Sequence, residues 1–449
     1  MKTLCVSSAA LTIALTSLIT MPLIAWSADF ELEHRLDFET AFSTSDKNLQ
    51  KAKVIWQPEF NLDFGGSKHD KYTLNTIFRV HYEHQDLLEP GKPELDTYSR
   101  PSQRIMLNTH TDMELRELTI ETREEGYYLI LGKQQVVWGT ADGLKVLDVI
   151  NPQSFREFIL DDVEDSRIPL WMVNIEIELN KSTLQLIWIP DETYHELPVG
   201  EAAFAFTSPL IIPEAPPGIP VQFTPADKPG LSFSESDFGA RWSTFTRGWD
   251  LTLNYLYHTV DFPVLYQRAK HTAQGLMVFI EPEYAHSHLI GGTFSNAFGD
   301  ITLRGETAYS VDRYFLSNDI IKNQGIVKRN ELAYVIGIDW NAPADILVST
   351  QLFQNYVLNA PDSLIQENQN TTLTLLIRRD FNNETLMSEL LWVSNTTYED
   401  GLVRANIRYE LNQGVNIKLG ADFFYGNQSG LYGQFKDTDR WFFDVNIAI

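Results

Sequence analysis

The chain has 449 residues, 12% of them aromatic, a single cysteine, and a formal charge of −25 from 60 acidic against 35 basic side chains. That charge argues against nucleic acid as a main partner, because a phosphate backbone demands a basic surface. Cys5 alone cannot build a disulfide framework, and beyond the N-terminal stretch no run of about 18 apolar residues is available for a spanning helix.

The N-terminus reads Met1-Lys2, then an almost uncharged apolar stretch from Ala9 to Ala25, then the small residues of Ala25-Trp26-Ser27. This is the pattern of a secretory signal peptide over residues 1–27, leaving 28–449 as the mature chain without a thiol. Alternation of apolar and polar residues begins near Phe30, so no plug or hatch is expected ahead of it. Further on, Leu74, Thr76, Phe78, Val80 and Tyr82 alternate with Asn75, Ile77, Arg79, His81 and Glu83. Val173, Ile175, Ile177 and Leu179 alternate with Asn174, Glu176, Glu178 and Asn180. The pattern is strongest at the end, over Val403 to Leu411, Val415 to Tyr425 and Trp441 to Ile449. Side chains of a strand point alternately to opposite faces, so each segment has an oily and a polar face. About ten residues is also the length with which a tilted strand crosses a bilayer. The expected fold is therefore all-β, a transmembrane antiparallel β-barrel in the outer membrane of a Gram-negative bacterium.

Barrels of this kind have short periplasmic turns and longer external loops. Short connections fall at Gly65 to Lys71, Glu125-Gly126, Asn180-Lys181, Arg247-Gly248, Gly299, Asn341 to Ala344, Phe381 to Asn383 and Gln413-Gly414. They imply about eighteen strands with both termini periplasmic. The pattern blurs between Tyr266 and Phe298, where one long strand is expected and an extra hairpin would fit; sixteen strands remain an alternative. The final strand is expected to pair with the first near Leu32 to Phe42.

Two loops stand out. The third external loop, Trp138 to Pro169, holds Asn151-Pro152, a helix-start pair, with Phe155, Phe158 and Ile159 at helical spacing. A short helix folded inward is expected there, with Asn151, Arg156, Glu157, Asp161 and Asp162 forming a constriction. The run Asp161, Asp162, Glu164, Asp165 reads as a solvated acidic face or, less simply, a calcium site without the order of a dedicated loop. Gly132-Lys133-Gln134-Gln135-Val136-Val137-Trp138-Gly139, then Asn151-Pro152, then Arg167-Ile168-Pro169-Leu170-Trp171 resembles an uncharacterised family of proteobacterial outer-membrane barrels, often encoded beside RND-type exporters of the MMPL kind. The resemblance implies a porin-like fold and an envelope-transport role, with no established substrate. The fourth loop, Pro190 to Pro229, holds nine of the twenty prolines. It reads as irregular chain packed on other loops, or as a lid or greasy docking site.

Charges on the lipid face would cost a few kcal/mol each. Arg79, Glu83, Glu176, Glu178, Arg304, Glu306, Arg378, Asp380, Arg404, Arg408, Glu410, Lys418 and Asp422 are thus expected to line the lumen, either as a transverse field or as a salt-bridge plug. His81 with His84, and His286 with His288, lack further ligands for zinc. No Gly-x-Ser-x-Gly appears, and neither metal nor cofactor is implied. The expected function is a passive channel for a small-molecule solute, with outer-membrane lipid around it and no enzymatic activity. The alternatives are a partner of an inner-membrane RND-type exporter handling hydrophobic or lipid-like substrates, and a barrel hydrolase.

Overall fold

A computed structural model describes residues 29–65, 72–88, 97–198, 200–214, 218–230, 232–273 and 275–449. The signal segment 1–27 and most of the 65–71 turn lie outside these. Eighteen antiparallel strands close into one barrel. They are β1 Asp29–Ser43, β2 Leu49–Phe64, β3 Tyr72–Glu83, β4 Thr111–Glu124, β5 Tyr127–Gln134 and β6 Leu170–Leu179. Next come β7 Ser182–Ile189, β8 Asp237–Thr246, β9 Trp249–Thr259, β10 His286–Phe298, β11 Ile301–Leu316 and β12 Ile326–Ala342. The wall finishes with β13 Ile346–Val357, β14 Gln369–Phe381, β15 Leu386–Asn395, β16 Asp400–Asn412, β17 Val415–Gly426 and β18 Arg440–Ala448. Closure comes from β18 on β1, with Arg35 opposite Ala448 and Ser43 opposite Arg440.

One end of the barrel carries tight turns. Arg247 and Gly248 both sit at positive φ, 50° and 86°, the backbone that two-residue hairpins favour because it matches strand twist. At Gly414, φ is 87° and a Cβ would run into the Ala448 carbonyl. The other end carries the long connections: loop 2 (84–110), loop 3 (135–169), loop 4 (190–236), loop 5 (260–285) and loop 9 (427–439). The blurred stretch resolves as a hairpin outside the barrel wall, Val264–Thr272 on Gly275–Glu283, followed by the single strand β10. Val221–Phe223 of loop 4 adds to that hairpin in parallel.

The helix expected at Asn151 is absent there. Residues 151–160 run as bends and turns, with Phe158 at φ 56°, and a single helical turn follows at Val163–Ser166. The N–H groups that would open a helix are taken elsewhere: Ser154 donates to the Ser166 carbonyl at 2.7 Å and Phe155 to the Glu196 carbonyl at 2.8 Å.

The outer face is apolar and exposed, as at Trp56, Tyr82, Ile290, Trp340, Ile407 and Trp441. The inner face is of two kinds. On β1–β4 and β16–β18 it is polar and charged, with Lys51, Lys53, Arg79, Arg116, Asp422 and Arg440 buried. On β6–β13, near the loop end, it is apolar: Met172, Ile187, Leu256, Leu289, Val335 and Phe353 join one buried cluster with Val136, Trp138, Val146, Leu147 and Ile150 of loop 3.

Candidate functional site

Loop 3 touches both inner faces, by different means. Its first half leaves β5 and buries Trp138, whose indole N–H donates to Gln185 Oε1 at 2.8 Å. Glu306 then accepts peptide N–H groups from Ala141 (2.6 Å), Leu147 (3.2 Å) and Thr140. Its carboxylate thus does for this turn what a capping side chain does for a helix, satisfying donors with no backbone partner. Arg304 reaches Asp142 and the Thr140 carbonyl while holding Asp339 at 2.7 Å.

The second half meets the charged wall. Glu157 pairs with Lys51 (2.6 Å), Lys53 (3.4 Å) and Arg440 (2.8 Å). Asp165 takes Arg35 at 2.6 Å and also Arg79. Asp161 lies 3.9 Å from Lys53, and Arg116 donates to the carbonyls of Glu164 (2.6 Å), Asp165 (3.2 Å) and Arg167 (2.9 Å). Arg404 donates to the Leu160 carbonyl at 2.8 Å and pairs with Asp422 at 2.9 Å. The acidic run is therefore divided: Asp161 and Asp165 face the cations of the wall, while Asp162, 3.6 Å from Lys418, and Glu164 are exposed. Burial opposes ionisation of Glu157 and Asp165, yet the surrounding lysine and arginine charges outweigh it and hold both carboxyls far below the usual range. For Asp161 burial wins, and its carboxyl is pushed up.

Glu39, Glu157 and Asp161 bring oxygens within 4.8 Å of one another, the arrangement closest to a metal site among the described residues. Lys51 and Lys53 already bridge Glu39 and Glu157, so two ammonium groups stand where a cation would bind. His81 bonds Asp112 at 3.3 Å on the inner face, while His286 stacks on Tyr257 with ring centroids 4.9 Å apart on the outer one.

Asn151 has another task than the one its spacing suggested. Its Oδ1 accepts Val136 N–H at 2.7 Å, and its Nδ2 donates to the carbonyls of Ile168 (3.0 Å) and Gln134 (3.3 Å). One side chain thereby ties the two ends of loop 3 together. Beside it, Arg167 grips Asp148 Oδ2 through two nitrogens at 2.8 and 3.0 Å, and Lys133 donates to the Leu115 carbonyl at 2.8 Å. At Gly132, φ 130°, a Cβ would collide with the carbonyl oxygen of Leu118. Arg156 turns toward loop 4, 3.1 Å from Ser154 Oγ and 3.5 Å from Glu196.

All thirteen strand charges lie on the inner face, in two groups. Arg79, Glu83 and Glu306 are buried against loops and Asp422 is buried between Arg404 and Arg440, while Arg304 and Arg404 are engaged by loop 3. Toward the tight-turn end, Glu176, Glu178, Arg378, Asp380, Arg408, Glu410 and Lys418 retain exposure. Sequence reasoning did not single out Arg35, Lys51, Lys53, Arg116 or Arg440, although Lys51 and Lys53 sit two apart on β2, the spacing of a shared face.

Loop 4 packs on its neighbours. Phe204 and Phe206 join Phe158 of loop 3 and Phe435 of loop 9 in a second buried cluster, and Gln434 Oε1 accepts the N–H groups of Thr207 (2.8 Å) and Ser208 (2.9 Å). Between loops 3, 4 and 5 and the ends of β11 and β12 remains a partly open cavity of about 490 Å³.

Residues 124–448 match the model of a family described as a protein of unknown function, DUF1302. The chain belongs to that family. No curated protein matches it. Among solved structures it is similar to Acinetobacter baumannii OccAB1, at TM-score 0.53 and 9% identity over 94% of this chain and 96% of that one. It is likewise similar to the Pseudomonas aeruginosa outer membrane protein opdK, at TM-score 0.50 and 10% identity over 94% and 99%. P. aeruginosa OccK3 (OpdO) gives TM-score 0.51 at 9% identity over 94% and 96%. At such identity the likeness is one of fold.

Proposed function

We propose that this member of the DUF1302 family is a porin-like passive channel of the bacterial outer membrane, its termini in the periplasm and its lumen narrowed by residues 138–169. The observation that carries this reading is the anchoring of loop 3 on both inner faces, Trp138 and Leu147 against β6–β13 and Glu157 and Asp165 against β1–β4 and β18. Solutes would pass the charges left exposed toward the tight-turn end, Glu176, Arg378, Arg408 and Lys418 among them, where opposed signs orient a polar molecule and set ion selectivity. Single-channel recording in planar bilayers tests it. The full chain should conduct, and replacing residues 139–165 by a short glycine-serine link should raise the conductance severalfold. No current from either form would end the channel reading.

A second reading, delivery of hydrophobic or lipid-like molecules together with an RND-type exporter of the inner membrane, is favoured by the apolar cavity among the loops. Co-purification of such an exporter from cross-linked envelopes would support it.

A further inference from the structure

The cavity of about 490 Å³ has a greasy wall, with Phe155, Phe158, Phe206, Ile211, Phe262 and Phe315 facing it. Its size falls in the range of sites for small organic ligands, roughly 300–1,000 Å³. A second space of about 260 Å³ adjoins it, and Lys145, Gln153, Arg313 and Glu331 line both. An apolar chamber thus opens onto a polar floor.

The charge of that floor is uneven. Lys145 Nζ lies 2.8 Å from Asp148, but Arg167 holds the same carboxylate oxygen at 2.8 Å. Two cations share one anion. An ammonium has three donors, and Asp148 is the one partner shown for Lys145. Nearby groups do not restore the balance. Arg313 is matched by Glu331, and Asp161 faces Lys53. His195 Nδ1 accepts the Gln153 N–H at 2.9 Å, and burial pushes its pKa down to about 3, so it stays neutral. Asp261 is the other carboxyl acting on Lys145, and burial pushes its pKa well up, which weakens it as a counter-charge.

We propose that this double cavity binds a small amphiphile with one anionic head, a medium-chain carboxylate in its simplest form, the head on Lys145 and the chain among Phe155, Phe206 and Phe262. The surplus cation selects the sign of the head, and the apolar wall selects the body. This deepens the channel reading, on which it rests for the route by which the ligand reaches the loops, but binding can be measured without transport.

The test uses the full mature chain in phosphatidylcholine nanodiscs, since detergents are themselves amphiphiles. Labelled dodecanoate should bind at one saturable site. Dodecanol should compete weakly, and dodecyltrimethylammonium hardly at all. K145Q should weaken dodecanoate about tenfold while leaving dodecanol unchanged, and K145R should restore the carboxylate preference. I211W should block both ligands by filling the chamber. Heat-modifiable migration on gels reports that each variant retains its barrel. The inference is overturned by non-saturable binding, by equal competition from the cationic amphiphile, by K145Q binding dodecanoate as the parent does, or by K145R failing as K145Q does. Conductance recorded from the same preparation keeps the two claims apart: binding without current ends the channel reading alone, and current without binding ends this one alone.

Discussion

The two halves of loop 3 hold the same loop by opposite physics. The first half rests on Trp138, Leu147 and Ile150 packed on β6–β13. Such contact is non-directional and grows with area removed from water. The second half rests on Glu157 and Asp165 among Lys51, Lys53, Arg35, Arg79 and Arg440. Those pairs have repaid a large desolvation cost only because each carboxylate meets more than one cation. The apolar half can therefore shift and still bind, whereas the ionic half has one fitting position. The contrast assigns grip to the first half and placement to the second.

The sharpest way to break the ionic half is Glu157→Gln. It takes one shared counter-charge from three buried cations, leaving Glu39 to Lys51 and Lys53 and Asp422 to Arg440, and should cost about 3–5 kcal/mol of loop docking, read as faster hydrogen exchange over residues 153–167 with the barrel intact. Unchanged exchange would show that Glu39 and Asp422 suffice. On the apolar side, Leu147→Ala should cost about 2–5 kcal/mol and loosen residues 138–150 first. Loss of protection across the whole loop at once would mean that the halves are one cooperative unit. Acid should separate the halves from loop 4. His195 is held neutral with a pKa near 3, against about 6.5 in an unfolded chain. Its contribution is complete above that unfolded value and drains away as pH falls toward the folded one, by about 2 kcal/mol at pH 5. The docked ring stays neutral and keeps the Gln153 N–H, but the opened loop gains a proton, so the protection factor of that amide, corrected for the intrinsic pH dependence of exchange, should fall between pH 7 and 5, and His195→Gln should flatten the change. Glu157 and Asp165, depressed instead of neutralised, keep their contribution above the unfolded carboxyl pKa of about 4 and lose it progressively as pH falls from there toward the folded value, so their half should stay docked at pH 5. Least of all, Lys418→Gln breaks the pair with exposed Asp162 and the contact with the Phe442 ring, and should change loop protection by about 0–1 kcal/mol.

Much of the barrel could be read from sequence because its signals are local. Alternation in β16, β17 and β18 has the period of a strand, and Arg247-Gly248 or Gln413-Gly414 announces a turn through its own backbone needs. The candidate site was legible only in outline. Loop 3 was recognisable as unusual, and its charges were recognisable as inward company. What sequence could not supply was partners: Glu157 meets Arg440 across 283 positions, a distance no window spans. Asn151-Pro152 carries a sound local helix signal, and tertiary hydrogen bonds to Val136 and Ile168 override it. The apolar inner face of β6–β13 was hidden for a related reason. A strand backed by lipid on one side and by a loop on the other shows apolar residues on both faces, and alternation fades where packing is double.

Glu157 also sits at the seam. Lys51 and Lys53 belong to β2, near the start of the wall, while Arg440 begins β18, its last strand. The two sides of this cluster become neighbours only when β18 docks on β1. The ionic lock can therefore be completed only once the cylinder has shut. Contacts made that late contribute little to the rate of folding and much to the slowness of unfolding, which makes this carboxylate a latch on the barrel's lifetime as well as on its loop.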